Sequence, residues 1–198
     1  MFDTNKPFTI NILSGGEKHC ECSFPSDQQW SELAKKRKSV RRKTGRGLSD
    51  WEEPGREQAE LDLLIAIGKP GTAEQFDKFE ASKMIGLLSR AEVLETEREG
   101  DGFRVELKVF GGTVSHTVGI PTMEDRFRYD REVSKITNGE RRVELYVNLT
   151  PCAEIWDRLR VNISGYGDGS AVPIIHKAAA LSGVISKLQE LESDDPEA

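Results

Sequence analysis

The chain reads as an α+β protein formed by tandem duplication of a β-hairpin plus about three helices, the copies being pseudo-two-fold related. Two stretches carry that reading, "FTINILSGGEKHCECSFPSDQQW" from Phe8 and "FRVELKVFGGTVSHTVGIPTMEDRF" from Phe103. Each runs from an alternating segment through a Gly-Gly pair and a second alternating segment to proline and a hydroxyl residue. Gly15 and Gly16 lie ten residues before Pro25 and Ser26, as Gly111 and Gly112 lie ten before Pro121 and Thr122. The third observation is helical: apolar residues recur at three- and four-residue spacing later in each half. The expected units are residues 1–99 and 100–198, joined near Glu97 to Gly102.

The elements follow in order. Phe8, Ile10 and Ile12 share one face of the first strand, and Cys20, Cys22 and Phe24 one face of the second. Gly-Gly accommodates the tight turn between them. Ser26 with Gln29 has the spacing of a capping box, predicting a helix that continues through the basic stretch to about Lys43. "PGREQAELDLLIAI" predicts a helix ending at Gly68. Thr72 and Gln75 then open another, with Phe76, Phe79, Lys83, Leu87, Ala91 and Leu94 as its stripe, flanked by Met84 and Leu88.

In the second half one strand face carries Phe103, Val105, Leu107 and Val109. The next carries Val114, His116, Val118 and Ile120. Thr122 and Asp125 cap the following helix. "VELYVNL" alternates as a strand, whereas its counterpart "LSDWEEP" does not. Thr150 with Pro151 starts a helix bearing Ile155, Trp156 and Leu159. After "SGYGDGSAVP", Ile174, Ala178, Leu181, Ile185 and Leu188 form a seam ready to pack. The closing "ESDDPEA" reads as a frayed tail.

Charge is the most distinctive feature of the composition. The 198 residues carry a net charge of −6, yet Lys35, Lys36, Arg37, Lys38, Arg41, Arg42, Lys43 and Arg46 fall together with no acid among them. Outside this block 20 cations face 34 acids. On a helix, Lys35, Lys38 and Arg42 would share a face, as would Arg37 and Arg41, with Thr44 to Gly47 as the exit. These eight residues are the candidate anion- or partner-binding site. The bland alternative is a solvated face or an intersubunit contact. Nucleic-acid phosphate is a possible partner, although aromatic residues do not interleave the block.

Catalytic and metal signatures are absent from the sequence. His19, Cys20, Cys22 and His116 supply ligand types, but strand alternation points His19 away from the two thiols, so no metal is expected. The glycine pairs lie between strands, whereas a phosphate-cradling loop precedes a helix. "GYGDG" lacks the lysine and hydroxyl of a P-loop. His176 is the one histidine placed near a loop mouth, where such a residue is more often a helix-surface or packing histidine than a base. No cofactor is expected, and the chain reads as a non-enzyme.

Three cysteines without scaffold spacing suit a reducing compartment. No stretch approaches the roughly 20 apolar residues of a membrane span. A cytoplasmic protein that meets no membrane is the expectation.

Two stretches, "FPSDQQWSELAKKRKSVRRKTGRG" and "VPIIHKAAALSGVISKLQEL", resemble uncharacterised proteins encoded among bacteriophage and prophage structural genes. That resemblance implies a role in virion or tail assembly, through protein partners or self-assembly. It transfers no site residue. Chaperones of tail assembly are dominated by helix, whereas this chain carries two hairpins.

Overall fold

A computed structural model describes residues 1–13 and 17–194. In chain order the elements are β1 (Phe8–Leu13), β2 (Glu17–Cys22), α1 (Asp27–Lys36), β3 (Ser39–Thr44), β4 (Gly47–Leu48), α2 (Arg56–Ile67) and α3 (Lys78–Leu88). There follow β5 (Ala91–Glu99), β6 (Gly102–Val109), β7 (Gly112–Gly119), α4 (Met123–Glu132), β8 (Ser134–Asn138), β9 (Arg142–Val147), α5 (Thr150–Leu159), β10 (Arg160–Ser164) and α6 (Ile174–Asp194). The strands form three antiparallel sheets, ordered β1-β2, β10-β7-β6-β5 and β4-β3-β9-β8. The α+β class is therefore present.

The chain divides into two units that interleave in sequence. One comprises Met1–Thr4, Ser89–Asp130 and Leu149–Ala198, here the core-sheet unit; the other, the basic unit, comprises Asn5–Leu88 and Arg131–Asn148. The expected joint at Glu97 to Gly102 is instead the turn of the β5–β6 hairpin, where Gly100 takes a positive φ of 56°. A boundary after residue 99 would cut that hairpin at its tip.

In the core-sheet unit, alternation sends Phe103, Val105, Leu107 and Val109 of β6 inward beside Val114, His116 and Val118 of β7. Each fully buried apolar side chain there contributes about 1.5–3 kcal/mol. Helix α6 lies on β5, β6 and β7, and α5 packs on α6 and β7. Gly183 makes that approach possible, since a Cβ there would stand 3.2 Å from Thr96 Oγ1 and from Val105 Cγ1. The apolar seam of α6 thus meets a sheet as well as a helix. Ile120, expected inside, is exposed beyond the end of β7.

In the basic unit, Cys20, Cys22 and Phe24 are buried as alternation requires, with Ile10, Trp30, Leu33, Leu63 and Leu64. The Ser26–Gln29 capping box opens α1, and Thr122 with Asp125 makes the equivalent reciprocal bonds before α4. The turn assigned to Gly15 and Gly16 lies outside the described residues. Helix α3 departs from expectation. Asp77 and Glu80 cap it reciprocally, it ends at Leu88, and Ala91 and Leu94 belong to β5. Its buried face is Ala81, Met84, Ile85 and Leu88, leaving Phe79 and Leu87 exposed. Lys83 rests its ammonium 4.3 Å from the Phe79 ring centroid, which lets an exposed aromatic imitate a core position in the sequence.

Hairpin followed by helix thus occurs in both halves, but the strand partnerships are not repeated. Strands β1 and β2 pair only with each other among the named strands, whereas β6 and β7 sit inside a four-stranded sheet. The helix start before α5 also shifts by one position, Leu149 standing at the N-cap and Thr150 within the helix. At the other terminus α6 takes in Glu192, Ser193 and Asp194, so the part of the expected frayed tail that is described is helical.

Candidate anion-binding cleft

The basic block is not one helix. Helix α1 stops at Lys36, its cap Arg37 donating its backbone N–H to the Leu33 carbonyl at 2.8 Å. The chain then extends as β3, because a partner strand is present: Ser39, Val40, Arg41 and Arg42 pair with Leu145, Glu144, Val143 and Arg142 of β9. Lys43 N–H donates to the Arg141 carbonyl at 2.8 Å, prolonging that ladder. The segment expected as a flexible exit, Thr44 to Gly47, is the tight turn between β3 and β4. "LSDWEEP" also pairs, since Val40 and Glu52 exchange backbone bonds of 2.7 and 2.9 Å.

The eight cations therefore part company. Arg37 is not available: its guanidinium is ion-paired to the buried carboxylate of Glu60, which also accepts from Arg56 Nε at 3.0 Å. Burial pulls the Arg37 pKa down against the opposing pull of Glu60. Arg37 is a clamp between α1 and α2, not a contact residue. Lys35 and Lys36 are exposed on the last turn of α1. Lys38, Arg42 and Lys43 are instead spread along β3, from the residue before it to near its end, and line one cleft of the β4-β3-β9-β8 sheet.

There they line a cleft of about 630 Å³ with Val40, Glu52, Pro54, Arg141 and Arg142. Five of its eight lining residues are cationic and one is acidic, so its interior is positive although the chain is acidic overall. Register explains the concentration. Arg42 stands directly opposite Arg142, and the backbone bonds of Val40, Lys43 and Ser49 make this a non-hydrogen-bonded pair, where side chains come closest. Like charges so placed oppose folding by a few tenths to about 1 kcal/mol.

Partial compensation comes from carboxylates. Lys38 Nζ donates to both oxygens of Glu144 at 3.1 and 3.0 Å, Arg142 Nε is 2.7 Å from Glu144, and Arg42 is 3.5 Å from Glu52. The Lys38 hydrogen bond, helped by the Arg142 charge, holds the Glu144 carboxyl below the usual carboxylate range. Lys43, Arg46 and Arg141 are exposed and have no ion-pair partner among the described residues.

Arg141 and Arg142 escaped the sequence reading. They lie just before "VELYVNL", a stretch that reads as a strand from Val143 but does not announce its partner a hundred positions earlier, and β9 itself begins at Arg142. Arg41 lies on the other face from Arg42, its Nε donating to the Ser49 carbonyl at 2.7 Å.

The other candidates resolve differently. Cys20 and Cys22 are buried, and burial, before the neighbouring Cys20, pushes the Cys22 thiol up to about 12. His116 and His176 both lie inside the core-sheet unit, bridged by the Tyr166 hydroxyl at 2.8 and 3.0 Å. His176 is thus a packing histidine, buried as a member of a polar chain. Burial depresses His116 to about 4; burial and then the His116 charge depress His176 to about 3. One hydroxyl proton orders this chain: Tyr166 donates to one imidazole and accepts from the other. Among the described residues no group of three or more His, Cys, Asp or Glu is arranged to hold a metal ion. None of the described helices is long and apolar enough to cross a membrane.

No protein-family model, curated protein or solved structure matches this chain.

Proposed function

We propose that the protein is a non-catalytic binding module whose cationic cleft takes the phosphate backbone of a nucleic acid. The supporting observation is the convergence of Lys38, Arg42, Lys43, Arg141 and Arg142, drawn from two distant segments, on one cleft with a single acidic lining residue. Arginine forks suit phosphate oxygens, and exposed lysine adds point charge. Binding by about five contacts weakens roughly 100-fold between about 50 and about 200 mM salt, at about 0.7 per phosphate for single strands. Fluorescence anisotropy with labelled DNA across that range measures it. The double variant Arg141→Glu/Arg142→Glu is expected to abolish binding with the circular dichroism spectrum retained. Undiminished affinity in that variant, or no binding at the lowest salt, overturns the reading.

A second reading, assembly through protein contacts as the phage resemblance implies, is favoured by the charge division. Outside the basic block 20 cations face 34 acids, so an acidic protein surface or a second copy could dock on the same cleft. Self-association that salt dissolves and the double variant loses, without affinity for DNA, would select it.

A further inference from the structure

Resting on the phosphate-binding reading, we propose that the ligand is a single-stranded polynucleotide whose bases stack on Trp51. The cleft occupies the Val40 face of the β4-β3-β9-β8 sheet. Alternation and register place Arg41 and Lys43 on the opposite face, with Val143 and Leu145 of β9 and Ile136 of β8. No residue of that face is buried, and Ile136 is 67% exposed.

Trp51 belongs to the same face, since its neighbour Glu52 pairs with Val40 and its own ring sits 5.2 Å from the Arg41 guanidinium. Trp30 and Trp156 are 2% and 0% exposed, but Trp51 is 43% exposed. An exposed indole braced by an arginine, itself held by the Ser49 carbonyl, is a preset stacking surface.

Lys43 and Arg141 join the two faces. Both line the cleft, both are exposed, and their backbone bond closes the sheet end. A polyanion lying in the cleft is led past them toward Trp51, a passage over one sheet thickness, on the order of 10 Å. A flexible single strand makes that turn. A duplex, with its persistence length of about 150 base pairs, does not. Charge complementarity thus selects the polyanion and the turn selects its strandedness.

The test uses the full chain, an unlabelled thymidine 20-mer and a duplex of equal length. Trp51 emission is expected to be quenched on titration with the single strand. Trp51→Ala should weaken single-strand affinity about tenfold, on the scale of one lost base stack. Trp51→Phe should retain most of that affinity, and duplex affinity should ignore both changes. Equal affinity for duplex and single strand, indifferent to Trp51→Ala, sinks this inference and leaves the phosphate cleft standing. Absence of binding to either nucleic acid, with Trp51 emission changing on self-association, sinks both and assigns the face to a second copy.

Discussion

The two four-stranded sheets have the same strand count and the same antiparallel pairing, yet opposite burial. In β10-β7-β6-β5 seven residues of β6 and β7 are essentially inaccessible, and α6 covers the face they present. In β4-β3-β9-β8 only Val40 is buried. One sheet is held by its core. The other is held by its ladder, by Val40, by ion pairs and by the contact of α1 with β9, and its remaining side chains are exposed or half-buried. Pairing alone does not make a sheet structural; what it packs against does.

That contrast can be broken by substitution. The largest effect is expected in the covered sheet, where Phe103→Ala should cost about 3–5 kcal/mol, read by hydrogen exchange of the β6 and β7 amides. A loss below about 1 kcal/mol would show that the face is less tightly covered than described.

Acid comes next. His116 and His176 are neutral in the folded core, with pKa values near about 4 and about 3, but take up protons near 6.5 when unfolded. Their contribution is complete above about 6.5 and is lost as pH falls toward about 4, by about 1.4 kcal/mol per pH unit for each histidine. At pH 5 this is about 2 kcal/mol each. Exchange rates of the same amides at pH 7 and pH 5, with imidazole shifts from NMR, check the sign. Amides of the β3–β9 ladder should not share that dependence.

Within the open sheet the effects shrink. Lys38→Met removes a part-exposed pair with Glu144 and should lower stability only slightly, less than any change in the covered sheet. Glu144 would then bear only Arg142, and its carboxyl pKa, followed by NMR, should move back toward the ordinary range. Ile136→Ala should change stability by less than about 0.5 kcal/mol. A larger penalty there would mean that this face is covered.

Legibility in the sequence followed the range of the interactions. Both hairpins, the capping boxes of α1 and α4, and the inward set Phe103 to Val118 depend on neighbours a few residues away, and alternation or spacing exposes them. Beyond Lys36 the basic block is strand and not helix because what decides its conformation there is β9. Lys and Arg are good helix formers, so residues 35 to 43 by themselves favour helix. The ladder from Leu145 to Arg142 overrides it. Two of the five cations of the cleft, Arg141 and Arg142, were invisible for the same reason. Trp51 was passed over because nothing local distinguishes an exposed tryptophan from a buried one.

Strand β3 is complete at Thr44, but its partner β9 ends at Val147. At a synthesis rate of about 5–20 residues per second, the nascent chain waits about 5–20 s between making the two. Throughout that interval the β9-facing edge of β3 has no native neighbour to close it. Arg41, Arg42 and Lys43 then disfavour pairing of that edge with the identical, like-charged edge of another emerging copy.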